Sequence, residues 1–169
     1  MSIMELKPIL KASQLEQKIK RIAYEMYERN YTEKQLVLVG IKDEGFVFAN
    51  MLAEHLKKIA PFEIQLAALT LNKAATIQPE VQMEPVFNVS NKVVIVADDV
   101  LNTGRTLMFA VSHFLQFPVK KIQTAVIVNR THRHFPISGD YLGYELGTTF
   151  TDHVVVKLSD NEEFGVYLH

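Results

Sequence analysis

Asp98 and Asp99 stand side by side at the end of an apolar run, Val93 to Ala97, and a small hydroxyl-rich turn, Thr103-Gly104-Arg105-Thr106, follows them. Carboxylates accept hydrogen bonds from hydroxyls. A turn that opens a helix offers an anion its free backbone N–H groups and the positive end of the helix dipole. Gly104 lets the backbone come close to a ligand, the threonine hydroxyls add donors, and Arg105 adds charge. A phosphate with vicinal hydroxyls one sugar-width away satisfies both halves, and ribose 5-phosphate has that form. The bland alternative for the acidic pair is a solvated strand end or a helix N-cap; the turn that follows weighs against it. Other phosphate-binding patterns fail: there is no G-x-x-x-x-G-K-[ST], and no G-x-G-x-x-G follows a strand. A receiver domain also places acids after an apolar strand, but only about 70 residues remain here, too few for the rest of one.

These residues need a scaffold, and the chain reads as one. Ser13-Gln14-Leu15-Glu16 has the form of a capping box opening a helix, with Leu15, Ile19, Ile22 and Met26 along one face. Gln35 to Gly40 reads as a buried strand, and Phe46, Ala49, Leu52, Ala53 and Leu56 as the core face of the next helix. Phe62 to Leu71 is β-rich, and Lys92 to Ala97 is the strand that carries the acids. Thr106 to Phe117 is a helix stopped by Pro118, and Lys121 to Val128 is a further strand. Continuous apolar strands alternating with helices indicate an α/β domain with a parallel sheet covered on both faces. Short β segments follow at Tyr141 to Leu146, Val154 to Leu158 and Phe164 to Leu168, with a hairpin loop over Ser159 to Glu163. Asn72 to Asn91 has two prolines and no clear element, and a stretch that long inside a compact domain is usually a functional lid or disordered.

In open parallel sheets, ligands bind beyond the carboxyl ends of the strands. Three such ends carry polar loops: Ile41 to Gly45, Asp98 to Thr106, and Asn129 to Arg133. Their convergence is the main reason to expect a site. The 169 residues fit a single domain, 1–169. With no cysteine, disulfides, thiolate metal sites and thiol catalysis are excluded. No apolar run reaches bilayer length and the start lacks a signal peptide, so the expectation is a cytoplasmic protein with no membrane partner. The 18 basic and 19 acidic residues nearly balance, which offers RNA binding little support.

VVIVADDVLNTGRT, from Val93, resembles the phosphoribosyl diphosphate (PRPP) motif of the type I phosphoribosyltransferases. LVLVGIKDEGFVFANML, from Leu36, is similar to their diphosphate-loop region. VNRTHRHFPISGDYLGYEL, from Val128, resembles one subfamily, the pyrimidine operon attenuator/uracil phosphoribosyltransferases. The resemblance implies the type I phosphoribosyltransferase fold: a central, mostly parallel sheet flanked by helices, a small C-terminal β hood within about residues 141–168, and a flexible lid at about 72–91. It implies displacement of diphosphate from PRPP by a nucleobase, with uracil favoured, to give a nucleoside 5'-monophosphate. The cofactor implied is Mg²⁺, held by PRPP oxygens and water near Asp98 and Asp99, with no direct protein ligand. A homodimer or higher assembly is also implied.

Carried onto this chain, the resemblance gives Asp98 and Asp99 the ribose hydroxyls. It gives PRPP the stretch Asp98, Asp99, Val100, Leu101, Asn102, Thr103, Gly104, Arg105 and Thr106, whose turn holds the 5-phosphate. Lys42, Asp43, Glu44 and Gly45 meet the diphosphate, with a cis peptide between Lys42 and Asp43. Arg130 lies near the diphosphate or base and joins Asp98 and Asp99 as a catalytic residue. The base falls to Asn102, Arg130, Leu146 and Thr148.

Purine enzymes of the family usually place an acid where Asn102 stands and a lysine where Asn129 stands. A purine (hypoxanthine or guanine) enzyme is therefore the weaker alternative. Two departures raise another. The subfamily loop usually reads Lys-Thr-Arg-Gly, so Glu44 replaces a cation facing the diphosphate, and the lid lacks the family's charges. Both admit a catalytically weak nucleotide-binding regulator of the attenuator type, with RNA as a further partner. Three other features carry bland readings. His132-Arg133-His134 is a surface loop or substrate contact; Phe109, Phe114 and Phe117 are core or subunit interface; Lys18, Lys20 and Arg21 are a solvated helix face.

Overall fold

The computed structural model describes residues 5–77, 80–147 and 152–169. Two sheets and three helices account for it. Helix α1 (Ala12–Asn30) starts at Lys11 rather than at Ser13, because Gln14 Oε1 reaches back to accept from Lys11 N at 3.0 Å. Its Leu15, Ile19, Ile22 and Met26 are fully buried, as their spacing predicts. Strand β2 (Gln35–Ile41) leads into α2 (Glu44–Ile59), whose core face is led by Phe48; Phe46, expected there, is half-buried.

The main sheet has the order β4-β3-β2-β5-β6-β7. Here β3 is Glu63–Thr70, β4 is Gln82–Glu84, β5 is Val93–Leu101, β6 is Lys121–Arg130 and β7 is Tyr141–Leu146. All pairs are parallel except β3 with the short β4. Helices α1 and α2 cover one face and α3 (Arg105–Phe114) the other, with a separate apolar core under each. Among the described residues no helix is long and apolar enough to cross a membrane.

Four expectations need correction. Strand β5 does not stop at Ala97; it runs through both aspartates to Leu101, because β6 is long enough to pair Asp98 with Val126, Val100 with Val128 and Leu101 with Asn129. Helix α3 ends at Phe114, three residues short of Phe117, and a turn, not Pro118, closes it through Leu115 N–H to Val111 O at 3.2 Å. The segment 72–91 is not without structure. Its second half forms β4 and buries Val89, with Phe87 packed on the core under α3. The C-terminal β segments also divide: β7 joins the main sheet, while β8 (Val154–Lys157) and β9 (Gly165–Leu168) form the hood with β1 (Lys7–Leu10). Strand β1 gave no sequence signal. It is four residues with a proline, and its partner lies at the far end of the chain.

Because β2, β5 and β6 are parallel neighbours, their carboxyl ends meet at one edge of the sheet. The three polar loops are thereby brought to one place.

Candidate functional site

Asp98 is 3% exposed in the second half of β5 and lines a small cleft of about 50 Å³ with Asn102, Thr103, Gly104 and Thr106. Its Oδ1 accepts from Asp99 N at 2.9 Å. Asp99 is half-buried, and its Oδ1 accepts from Val100 N at 2.9 Å. Burial, and then the neighbouring Asp99 charge, push the Asp98 pKa well above the usual aspartate range; Lys73 pulls the other way from 3.6 Å. Lys73 escaped sequence reading because it is the one lysine of the proline-broken segment between Leu71 and Asn91, with no motif around it.

The turn after β5 is built for close approach. Gly104 has φ +94°, where an L side chain is strained, and an added Cβ would sit 2.7 Å from Ile137 Cγ2. Thr103 Oγ1 accepts from Arg105 N at 3.3 Å, and Thr103 O accepts from His134 N at 2.9 Å and Phe135 N at 3.0 Å. The loop after β6 thus braces the turn; His134 acts there through its backbone. Arg105 turns away from the cleft. Its guanidinium lies 4.6 Å from the Phe135 ring centroid and donates to Thr76 O at 3.3 Å. Leu101 is buried in the core under α3 and Val100 packs on the opposite core, so both position the turn rather than line it with polar groups.

The loop between β2 and α2 brings the second set. The Lys42–Asp43 peptide is cis. Gly45 permits the contact with β5, since a Cβ there would lie 3.0 Å from Asp98 Oδ1 and 3.1 Å from Ala97 O. Glu44 is not aimed at a diphosphate. Its two oxygens accept from Leu158 N at 2.7 Å and Ser159 Oγ at 2.8 Å, fastening the hood to the start of α2. The carboxylate is thereby engaged by a backbone and a hydroxyl donor of the hood. Glu44→Ala leaves the half-buried Leu158 N–H poorly satisfied, and a loss of about 1–3 kcal/mol is expected in urea unfolding. Glu44→Gln should lose less, because its amide oxygen still accepts one bond.

At the end of β6, Arg130 is 7% exposed and donates through Nη1 to Asn102 Oδ1 at 3.3 Å. Arg133 donates to Asn102 O at 2.6 Å and to Asn129 Oδ1 at 2.5 Å. Asn129 Nδ2 donates to Glu145 Oε1 at 3.5 Å, so both ends of this amide are engaged. Leu146 pairs with Arg130 across β6 and β7, at the level of the cleft. Thr148 lies outside the described residues. Arg133, Asn129 and Glu145 were not legible as one network, because they come together only when β7 pairs with β6.

Elsewhere, Arg21 pairs with Glu25 at 2.6 Å and donates to Leu142 O at 2.9 Å, so the α1 basic residues include one committed to the fold. Phe114 is fully buried, whereas Phe117 is 44% exposed.

Among the described residues, no three His, Asp or Glu side chains gather into a metal cage. Two hard carboxylates beside a turn that opens a helix are groups that would fit a hydrated Mg²⁺ brought with a substrate.

Residues 5–161 match the phosphoribosyl transferase domain family. The bifunctional protein PyrR of Enterococcus faecalis is 33% identical over 163 residues, covering 92% of each chain. That of Elusimicrobium minutum is 34% identical, covering 91% of this chain and 90% of its own. The pyrimidine operon regulatory protein of Lactococcus lactis is 33% identical, covering 92% of each. Among solved structures, a hypoxanthine-guanine phosphoribosyltransferase from Bacillus anthracis superposes with TM-score 0.77 at 20% identity, covering 97% of this chain and 98% of the other. At that identity the likeness is one of fold.

Proposed function

The chain belongs to the phosphoribosyltransferase family, type I in fold, and from that premise we propose that it transfers the phosphoribosyl group of PRPP to uracil, giving uridine monophosphate and diphosphate. The observation that carries uracil is Asn129. It stands where purine enzymes of the family keep a lysine, and its amide is held at both ends by Arg133 and Glu145. The residue itself brings no lysine ammonium to a purine oxo group, and the neighbouring Arg133 is turned to Asn129 Oδ1 and Asn102 O. One relative's name, pyrimidine operon regulatory protein, is in keeping with a pyrimidine base.

In this reading the turn Thr103 to Thr106 binds the 5-phosphate and Asp98 and Asp99 orient the ribose hydroxyls. The backbone of Lys42 to Gly45 faces the diphosphate. The C1–O bond to diphosphate breaks as a bond from C1 to the base nitrogen forms, and the proton on that nitrogen passes to water. Positive charge develops on the ribose ring, as in glycoside hydrolysis, and the chain answers it with carboxylates and exact positioning of the two reactants rather than with a nucleophile. Asp98 and Asp99 would hold Mg²⁺ through ribose oxygens and water. When bound, the ion neutralises charge on the departing diphosphate.

Radiolabelled uracil with PRPP and Mg²⁺ is expected to yield labelled uridine monophosphate. Product no higher than in an Asp98→Asn, Asp99→Asn variant defeats the proposal. A regulatory role is the second reading, motivated by the relatives' names. It expects uridine monophosphate to bind in calorimetry with turnover slow or missing, and rapid turnover removes it as the sole function. An RNA partner belongs to this reading and would show salt-dependent affinity for a pyrimidine-gene leader.

A further inference from the structure

Lys73 takes no part in the transfer described above, yet it reaches the most buried charge of the site. We propose that Lys73 latches the start of the 72–91 segment over the cleft of the free protein, as the counterion of Asp98, and that a hydrated divalent cation brought with a sugar phosphate must displace it. The proposal rests on the phosphoribosyl reading only for the ligand that competes.

The latch is built from both sides. Asn72 Oδ1 accepts from Ala74 N at 3.0 Å and Asn72 O accepts from Ala75 N at 3.2 Å, so the chain after β3 closes into a tight turn that carries Lys73. The Lys73 ammonium lies 3.6 Å from Asp98 Oδ1. Three residues further on, Arg105 donates to Thr76 O at 3.3 Å, and the Phe135 ring 4.6 Å away steadies its guanidinium. The stretch Asn72 to Thr76 is thus tied to residues that precede and follow the Thr103-Gly104 turn. On the β5 side, Asp98 Oδ1 also accepts from Asp99 N at 2.9 Å, and Gly45 packs so near that a Cβ there would lie 3.0 Å from it. Burial and the Asp99 charge disfavour the ionised carboxyl; the Lys73 ammonium and the Asp99 N–H favour it.

An ammonium and a hydrated divalent cation are alternatives at such a carboxylate, because each supplies the positive charge that burial withholds. The ammonium has the advantage of being tethered beside it. Its weakness is exposure: the Lys73 side chain is 46% exposed, so the pair is partly screened and can open. A contact of that kind holds the segment in the free protein and yields to a ligand. A latch formed about nine-tenths of the time weakens the apparent affinity of a competing ligand about tenfold.

Two measurements on the full chain test this, in wild type, Lys73→Met and Lys73→Arg. The first is calorimetry with ribose 5-phosphate in excess Mg²⁺, a ligand that carries no diphosphate for a lysine to meet. It is run at about pH 8.5, because the raised pKa of Asp98 lets a proton take the ammonium's place in more acidic solution. Lys73→Met is expected to bind about three- to tenfold more tightly than wild type, and Lys73→Arg within about twofold of it. The second is amide hydrogen exchange at Ala74 and Ala75 in the free protein. Exchange should quicken by at least about threefold in Lys73→Met and in Asp98→Asn, and the double variant should be no faster than either, since both changes remove one and the same pair. Equal or weaker binding by Lys73→Met overturns the displacement, and exchange indifferent to Lys73 overturns the latch. The phosphoribosyl reading fails separately, if ribose 5-phosphate binds none of the three proteins; the exchange result then decides the latch by itself.

Discussion

Replacing Asp98 and Asp99 together by asparagine is expected to cut nucleotide formation by about a hundredfold to ten-thousandfold while leaving the protein at least as stable as wild type. The two effects have separate causes. Hydrogen bonds between an ionised carboxylate and a hydroxyl contribute roughly 1.5–3 kcal/mol each, so losing two costs about 3–6 kcal/mol of transition-state positioning. At 1.36 kcal/mol per decade this is about two to four orders of magnitude. Stability moves the other way, because Asp98 is a buried carboxylate beside a second one, relieved in part by Lys73 at 3.6 Å and by the Asp99 N–H at 2.9 Å.

The pH dependence gives this a signature. Folding raises the Asp98 pKa, so the folded state holds the proton more tightly than the unfolded chain. Stability contributed by this group is complete below the ordinary aspartate range and is lost as pH rises through the folded pKa. The advantage of Asp98→Asn over wild type should accordingly be largest at neutral pH and shrink as pH falls. Thermal melts at neutral and mildly acidic pH, run beside the turnover assay, measure both effects. A variant that is less stable at neutral pH would show that the Lys73 contact outweighs burial and repulsion.

Gly104→Ala carries the second large effect, and here activity and stability fall together. The residue sits at φ +94°, and the new methyl meets Ile137 Cγ2 at 2.7 Å, Arg133 Cδ at 3.1 Å and Phe135 O at 3.3 Å. Left-handed backbone strain costs a non-glycine residue roughly 1–2 kcal/mol, and the clash adds to it. The loop after β6 must retreat, and that loop holds the turn through Thr103 O. A stability loss of about 2–4 kcal/mol in urea unfolding is expected. Ribose 5-phosphate affinity, read by calorimetry, should fall by at least about thirtyfold, because the N–H groups proposed to meet the phosphate would no longer be in place. Unchanged phosphate affinity would remove the turn from the binding site.

Much of this was legible along the chain because its causes are local. The spacing of Leu15, Ile19, Ile22 and Met26 places one helix face in a core whatever lies opposite. The apolar run before Asp98 and the Thr-Gly turn after it state a strand, a site and a helix start within fourteen residues. The limits of β5 were not legible. Whether a strand continues past Ala97 depends on how far its neighbour β6 extends, and that neighbour begins twenty residues downstream of Leu101. Strand β1 and the hood belong to the same class, since pairing between opposite ends of the chain leaves no mark on either end alone.

Glu44 shows the same division at the level of one side chain. By type it is an acid where relatives keep a cation, and the sequence could say only that a charge had been exchanged. Which way the carboxylate points was decided by Leu158 and Ser159, more than a hundred residues away. Asn102 divides likewise: its identity argued against a purine base, but the direction of its amide came from Arg130 on the next strand. The sequence by itself determined the kinds of group at the site and the parallel sheet that collects them, since these follow from residue type and periodicity. Only the tertiary structure decided where donors and acceptors point, because a hydrogen bond is set by its partner's position, and the partners here come from distant parts of the chain.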